Sequence, residues 1–194
     1  MIKHFLLIVG FVLWFGAVSQ AQITTPAFEG FAGFSILSSG SEGDEDIDLD
    51  REQRWGWQAS LAGNLNSAFG LVADFGGQYK HLEIELPGND DDFFLYNYQF
   101  MFGPRISGRG ERATGFGHFL IGGAHTGGSG LEGVEFDSAT GLAMGIGGGV
   151  DINIGSGGTA FRIIQFDWLP MRFKGDWFQD TFRIGIGIVF RGGM

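Results

Sequence analysis

The stretch FRIGIGIVFR (182–191) carries the fold in its alternation. Phe182, Ile184, Ile186, Ile188 and Phe190 share one parity, and Arg183, Gly185, Gly187, Val189 and Arg191 share the other. A period of two is the signal of a β-strand. A half-buried strand of a water-soluble protein turns its bulky apolar face inward and covers the other with Lys, Glu, Thr and Ser. Here the second face is two glycines and a valine between two arginines. Small residues suit a narrow interior that has to be filled, and the bulky face is then left to meet lipid.

The same pattern recurs upstream, bounded each time by turn residues. Trp55, Trp57, Ala59 and Leu61 alternate with Arg54, Gly56, Gln58 and Ser60. Phe69, Leu71, Ala73 and Phe75 alternate with Gly70, Val72, Asp74 and Gly76. Tyr96, Tyr98, Phe100 and Phe102 oppose Asn97, Gln99, Met101, Gly103 and Arg105. Leu142, Met144, Ile146, Val150 and Ile152 oppose Ala143, Gly145, Gly147, Gly149 and Asp151. In a seventh segment Ile164, Phe166 and Trp168 oppose Ile163, Gln165 and Asp167. The first segment (27–37) and the fifth (115–125) alternate less cleanly, and the fifth does not declare its inward face. Eight segments of about 10 to 12 residues match the length that crosses a bilayer at a tilt. The expectation is an all-β fold: a closed eight-stranded antiparallel up-and-down transmembrane β-barrel.

Charge placement sharpens this reading. Of the 22 acidic residues, 17 fall in four long connections: 38–53, 80–93, 126–138 and 169–181. Glu111 sits in a short turn, and Glu29, Asp74, Asp151 and Asp167 fall on the lumen parity with Arg54, Arg105, Arg183 and Arg191. These eight residues are the expected lumen ion-pair network, since a buried unpaired charge costs several kcal/mol. Hairpin geometry couples Asp167 with Arg183, and closure of the last strand onto the first couples Glu29 with Arg191. Arg162 is the one charge that parity puts on the lipid face, near a strand end from which a long side chain can snorkel. Short turns at 64–68, 107–113 and 153–159 alternate with the long connections. In outer-membrane barrels the long loops are extracellular and the tight turns periplasmic, so both termini are expected in the periplasm. Aromatic residues gather at strand ends, Trp55, Trp57, Tyr96 and Trp168 on the long-loop side and Phe102, Phe161 and Phe190 on the other, as interfacial girdles would.

The N-terminus is expected to be an export signal. Lys3 and His4 precede the apolar run Phe5 to Val18, and Ser19-Gln20-Ala21 supplies a small-x-small cleavage pattern. The expected organisation is a signal peptide over 1–21 and a barrel domain over 22–194. The chain has no cysteine, so pairing and packing must stabilise it. It is 44% hydrophobic and 18% charged, with 36 glycines, 21 phenylalanines and only 4 prolines. Soluble domains carry about 25% charged residues.

Several segments resemble the small outer-membrane β-barrel domain of OmpA-like proteins: GHFLIGGAH (117–125), GGGVDINI (147–154), FRIIQFDWLPMRF (161–173), FRIGIGIVFR (182–191) and WGWQASLAGNLNSAFGLVADFGG (55–77). The resemblance implies fold and an outer-membrane location and says little about activity. Larger members carry a C-terminal peptidoglycan-binding domain; this chain is expected to be the barrel alone.

SEGDEDIDLDRE (41–52) alternates Asp44, Asp46, Asp48 and Asp50, but lacks the glycine and terminal glutamate of a calcium-binding EF-hand loop. A solvated loop, or loose divalent bridging to lipopolysaccharide with Asp90, Asp91 and Asp92, fits better. Of the three histidines beyond the signal, His81, His118 and His125, only His125 has Ser129, Glu132 and Asp137 close in sequence. No spacing assures the geometry of a hydrolase, so His118 is read as a lumen residue and His125 as an interfacial one. GIGGGVDINIGSGG (145–158) lacks the Lys-Ser/Thr ending of a phosphate loop. A negative chain without a basic patch argues against nucleic acid. No enzyme activity, cofactor or metal is expected. The expected partners are outer-membrane lipid, lipopolysaccharide and the barrel-assembly machinery, around a monomer. Three functions follow in order: an envelope-stabilising or surface-interaction barrel with acidic loops, a narrow channel or conduit for small solutes, and a lipid A-modifying enzyme.

Overall fold

The computed structural model describes residues 25–40, 52–86, 89–129, 138–155 and 158–193, with the side chains of 82–86, 89–93 and 129 left aside. The expected signal peptide over 1–21, the acidic segment 41–51 and the residues Glu132 and Asp137 lie outside them. Ten strands run in order: β1 (Phe28–Ser39), β2 (Glu52–Asn64), β3 (Phe69–Leu86), β4 (Asn89–Arg109), β5 (Ala113–Ser129), β6 (Ala139–Ile154), β7 (Thr159–Trp168), β8 (Met171–Phe173), β9 (Asp176–Phe178) and β10 (Thr181–Gly192). No described residue is helical.

Eight of these strands form the wall. Each of β1 to β6 pairs antiparallel with the next, β7 pairs with β10, and β10 closes onto β1. The ring leaves no free sheet edge along the paired region, the only sheet topology that satisfies every backbone group inside lipid. Leu61 (59% exposed), Phe69 (57%), Phe102 (58%) and Phe190 (56%) stand on the outer surface, while Arg183, Asp151 and Asp167 are fully buried. The molecule is apolar outside and polar inside. In the fifth strand Thr114, Phe116, His118, Leu120 and Ala124 face inward, and Phe119 and Ile121 face outward.

Two of the expected long connections are strand. The stretch 80–93 is the end of the β3–β4 hairpin, with Lys80 opposite Leu95 and Leu86 opposite Asn89. Both strands there extend past their outer neighbours: β2 is last paired to β3 at Tyr79, and β5 to β4 at Phe94. The stretch 169–181 is likewise a hairpin tip. β8 continues β7 along β6 in one register, Ile146 facing Trp168 and Ala143 facing Met171. Pro170, which has no N–H, interrupts the ladder, and Lys174 (φ 49°) with Gly175 (φ 109°) makes the turn. Positive φ at both central residues is the primed geometry that matches strand twist. The turn expected at 107–113 is shorter than that, because β4 runs to Arg109 and β5 begins at Ala113.

β7 holds one residue too many for its neighbours. Val150 faces Ile164 and Asp151 faces Arg162; on the other side Gly185 faces Gln165 and Gly187 faces Arg162. Ile163 is the extra residue, a β-bulge, and both Ile163 and Ile164 point outward. The bulge inverts the parity of everything before it in the strand. Arg162, expected on the lipid face, therefore lies in the lumen at 2% exposure.

Candidate functional site: the lumen

The inward face is a continuous polar column. On the side of the short turns, Glu29 is the hub: Arg109 Nη2 donates to its Oε1 at 2.6 Å, Asn64 Nδ2 to the same oxygen at 2.9 Å, and Arg191 Nε to its Oε2 at 3.2 Å. Arg105 Nη2 stands 3.6 Å from Glu29 Oε2 and 3.9 Å from Asp151 Oδ2. Asp151 accepts two bonds from one guanidinium, Arg162 Nε at 2.7 Å and Nη2 at 3.2 Å. This fork geometry is available to arginine and not to lysine.

Arg162 is also held by aromatic faces, its Cζ lying 4.1 Å from the Phe31 ring centroid and 4.2 Å from that of Phe116. Arg105 reaches Phe116 as well, at 4.3 Å. In a water-poor interior such contacts offset part of the desolvation of a guanidinium.

Gln165 joins this tier to the next. It accepts from Arg162 Nη1 at 2.6 Å and donates to Asp167 Oδ2 at 2.8 Å. Asp167 then takes Arg183 Nη2 at 2.7 Å and pairs with His118 Nε2 at 2.8 Å. The same Arg183 Nη2 donates to Asp74 Oδ1 at 2.7 Å, and Gln58 Nε2 caps Asp74 Oδ2 at 2.7 Å. Amides continue the column: Arg183 Nη1 reaches Gln99 Oε1 at 3.5 Å, Gln99 Nε2 donates to Gln78 Oε1 at 2.8 Å and to Asn97 Oδ1, and Gln78 Nε2 to Ser35 Oγ at 2.9 Å. On the loop side Leu169 and Met171, from the last hairpin, are buried with Leu37, Leu120, Ala124 and Ala143. Polar ladder and apolar plug together fill the bore.

Seven of the eight residues picked out by parity sit in this column: Glu29, Asp74, Arg105, Asp151, Asp167, Arg183 and Arg191. Arg54 does not. It lies at the loop-side mouth beside Glu52 at 3.3 Å and Thr126 Oγ1 at 3.4 Å, with its side chain 16% exposed. Arg109, Arg162 and His118 join instead, so five guanidiniums meet four carboxylates. Arg162 was hidden by the bulge. Arg109 was hidden in an assumed turn, although its length lets it reach in from the strand end. His125 faces outward, its Nδ1 2.8 Å from Thr140 Oγ1. Among the described residues no three His, Asp or Glu side chains converge as a metal site.

No protein-family model and no curated protein sequence matches the chain. Solved structures match it in fold. Ail, the attachment invasion locus protein of Yersinia pestis, solved with the heparin analogue sucrose octasulfate, is 16% identical with a TM-score of 0.54, over 84% of this chain and 99% of that one. Neisserial surface protein A is 10% identical with a TM-score of 0.57, over 85% and 97%. The outer membrane protein OprG from Pseudomonas aeruginosa is 11% identical with a TM-score of 0.52, over 88% and 97%. The chain has the fold of the small eight-stranded outer-membrane β-barrels.

Proposed function

We propose that this barrel acts through its loop-side hairpins, as a surface-interaction protein of the outer membrane, and not through its lumen. The observation that carries the reading is the unbroken series of contacts from Glu29 to Ser35, backed by the Leu169–Met171 plug. A bore of eight strands is only wide enough for its own side chains, and here they are cross-linked by charge. The wall supplies a rigid base; the long hairpins stand on it. Both termini and the short turns are periplasmic in this reading, the long hairpins extracellular, and the barrel is a monomer without enzymatic chemistry or cofactor, embedded among outer-membrane lipid and lipopolysaccharide by the assembly machinery.

Charge indicates the kind of partner. The four loop-side segments hold 17 acidic residues against Arg51, Lys80, Arg172 and Lys174. Ail was solved with a sulfated polyanion; the acidic excess here favours the opposite, a basic protein surface or polycation, through long-range attraction that salt screens. Cells displaying the protein should retain a lysine-rich polymer in low salt, release it as salt rises, and ignore heparin. Equal binding of both polymers, or of neither, would end this reading.

A further inference from the structure

Among the described residues the lipid-facing wall carries a trough. Register sets Gly63 between Phe28 and Leu71, and in the next row sets Ala73 between Leu61 and Phe102. Each small residue is thus flanked by two large ones that stand more than half exposed. The resulting open groove has a volume of about 550 Å³ and a predominantly apolar lining. That volume lies within the roughly 300–1,000 Å³ of sites that hold small molecules. On its loop side the row above closes the surface, where Phe75 and Phe100 pack ring to ring at 4.9 Å. On its other side it opens towards the short turns, since Gly63 and Leu71 lie next to the 65–68 connection. An added Cβ at Gly63 would meet nothing within 4 Å, so the floor is open space and not packed core.

We infer that this trough holds one acyl chain of a glycerophospholipid from the leaflet on the short-turn side. Its lining is continuous with the apolar belt, so hydrocarbon is the chemistry that fits. Its open end faces the short-turn interface, where the headgroup of that leaflet would sit. A chain lying between Phe28–Leu61 and Leu71–Phe102 touches protein on three sides, where lipid elsewhere on the wall touches one. Such a lipid should stay when bulk lipid is washed away. The choice of phospholipid over lipopolysaccharide rests on the orientation proposed above, with the short turns facing the periplasm.

Native mass spectrometry of barrel extracted from outer membranes into mild detergent tests this. The expected spectrum is the protein with one phospholipid adduct. Gly63→Leu and Ala73→Leu fill the trough from its floor and should lose the adduct. Gly115→Leu projects outward on another strand, where an added Cβ also meets nothing, and should keep it. A bare wild-type barrel that still migrates as a compact unboiled species would overturn the inference, as would adduct retained by both filled variants or an adduct with the mass of a lipopolysaccharide. Labelling of Ser67→Cys in intact cells reads orientation separately. Labelling from outside would refute the orientation whatever lipid is bound, whereas a bare barrel with Ser67→Cys protected refutes only the trough.

Discussion

Arg162 and Asp151 form a two-bond ion pair across β6 and β7, at 2.7 and 3.2 Å, and they meet because Ile163 is an extra residue in β7. Without the bulge, the parity of Phe166 and Trp168 would turn the guanidinium to lipid. At the membrane centre an arginine costs about 2.5–3.5 kcal/mol or more. Deleting Ile163 itself removes the surplus residue and leaves Arg162 on the lumen face, so it should lower the yield of folded barrel far less than deleting Ile186, which turns one half of the regular strand β10 inside out and carries Arg191 outward. Refolding yields read from the unboiled compact band check this; equal yields would mean that Ile163 is not the surplus residue.

Arg183 bridges two buried carboxylates, Asp74 and Asp167, at 2.7 Å each. Removing one partner of a buried pair costs about 3–5 kcal/mol, because the other charge is left uncompensated. Arg183→Met should lower the temperature at which the compact band converts to the unfolded one, by far the most among single arginine variants. Arg54→Ala, at the half-buried mouth where water still reaches its partner Glu52, should cost far less, on the order of 1 kcal/mol. Similar shifts for the two would place the stability of the barrel outside the column.

Close strand approach makes a third contrast. A Cβ on Gly103 would come 1.9 Å from the Phe119 carbonyl oxygen, whereas one on Gly115 would meet nothing. Gly103→Ala should fold poorly and Gly115→Ala normally, both judged by the same gel shift.

The ribbon above the barrel should be its least stable strand pairing. From Lys80 to Leu86 and from Asn89 to Phe93 the hairpin is flanked by neither β2 nor β5. An isolated two-stranded hairpin is marginal in water. Amides of Glu83–Leu86 and Asn89–Asp92 should exchange with deuterium orders of magnitude faster than those of Phe69–Gln78. Matched protection in both segments would contradict this.

How far the sequence could be read depended on whether local pattern or neighbours set each feature. Alternation in β2, β3, β4, β6 and β10 gives each face directly, since side chains there follow a strict period of two. β5 could not be read because Phe116 and Phe119, equally bulky, lie on opposite faces. The bulge could not be read because Ile163 and Ile164 are both apolar, and two adjacent apolar residues look like a soft strand, not a change of register. The hairpin tip carried a signal: Phe173-Lys174-Gly175-Asp176 puts glycine where a primed turn needs it. The β3–β4 ribbon carried a misleading one, because its acidic residues read as loop. The lumen column was legible in composition, while its links through Gln58, Gln99 and Gln165 depend on where the barrel brings the strands together.

The most direct test of the account is planar-bilayer conductance of the refolded wild-type barrel. A column closed from Glu29 to Ser35 and plugged by Leu169 and Met171 predicts no steady unitary current across the voltage range that the bilayer tolerates, even at high salt. Reproducible single-channel steps from protein migrating as the compact species would contradict it, and would move the function from the loop-side hairpins to the lumen.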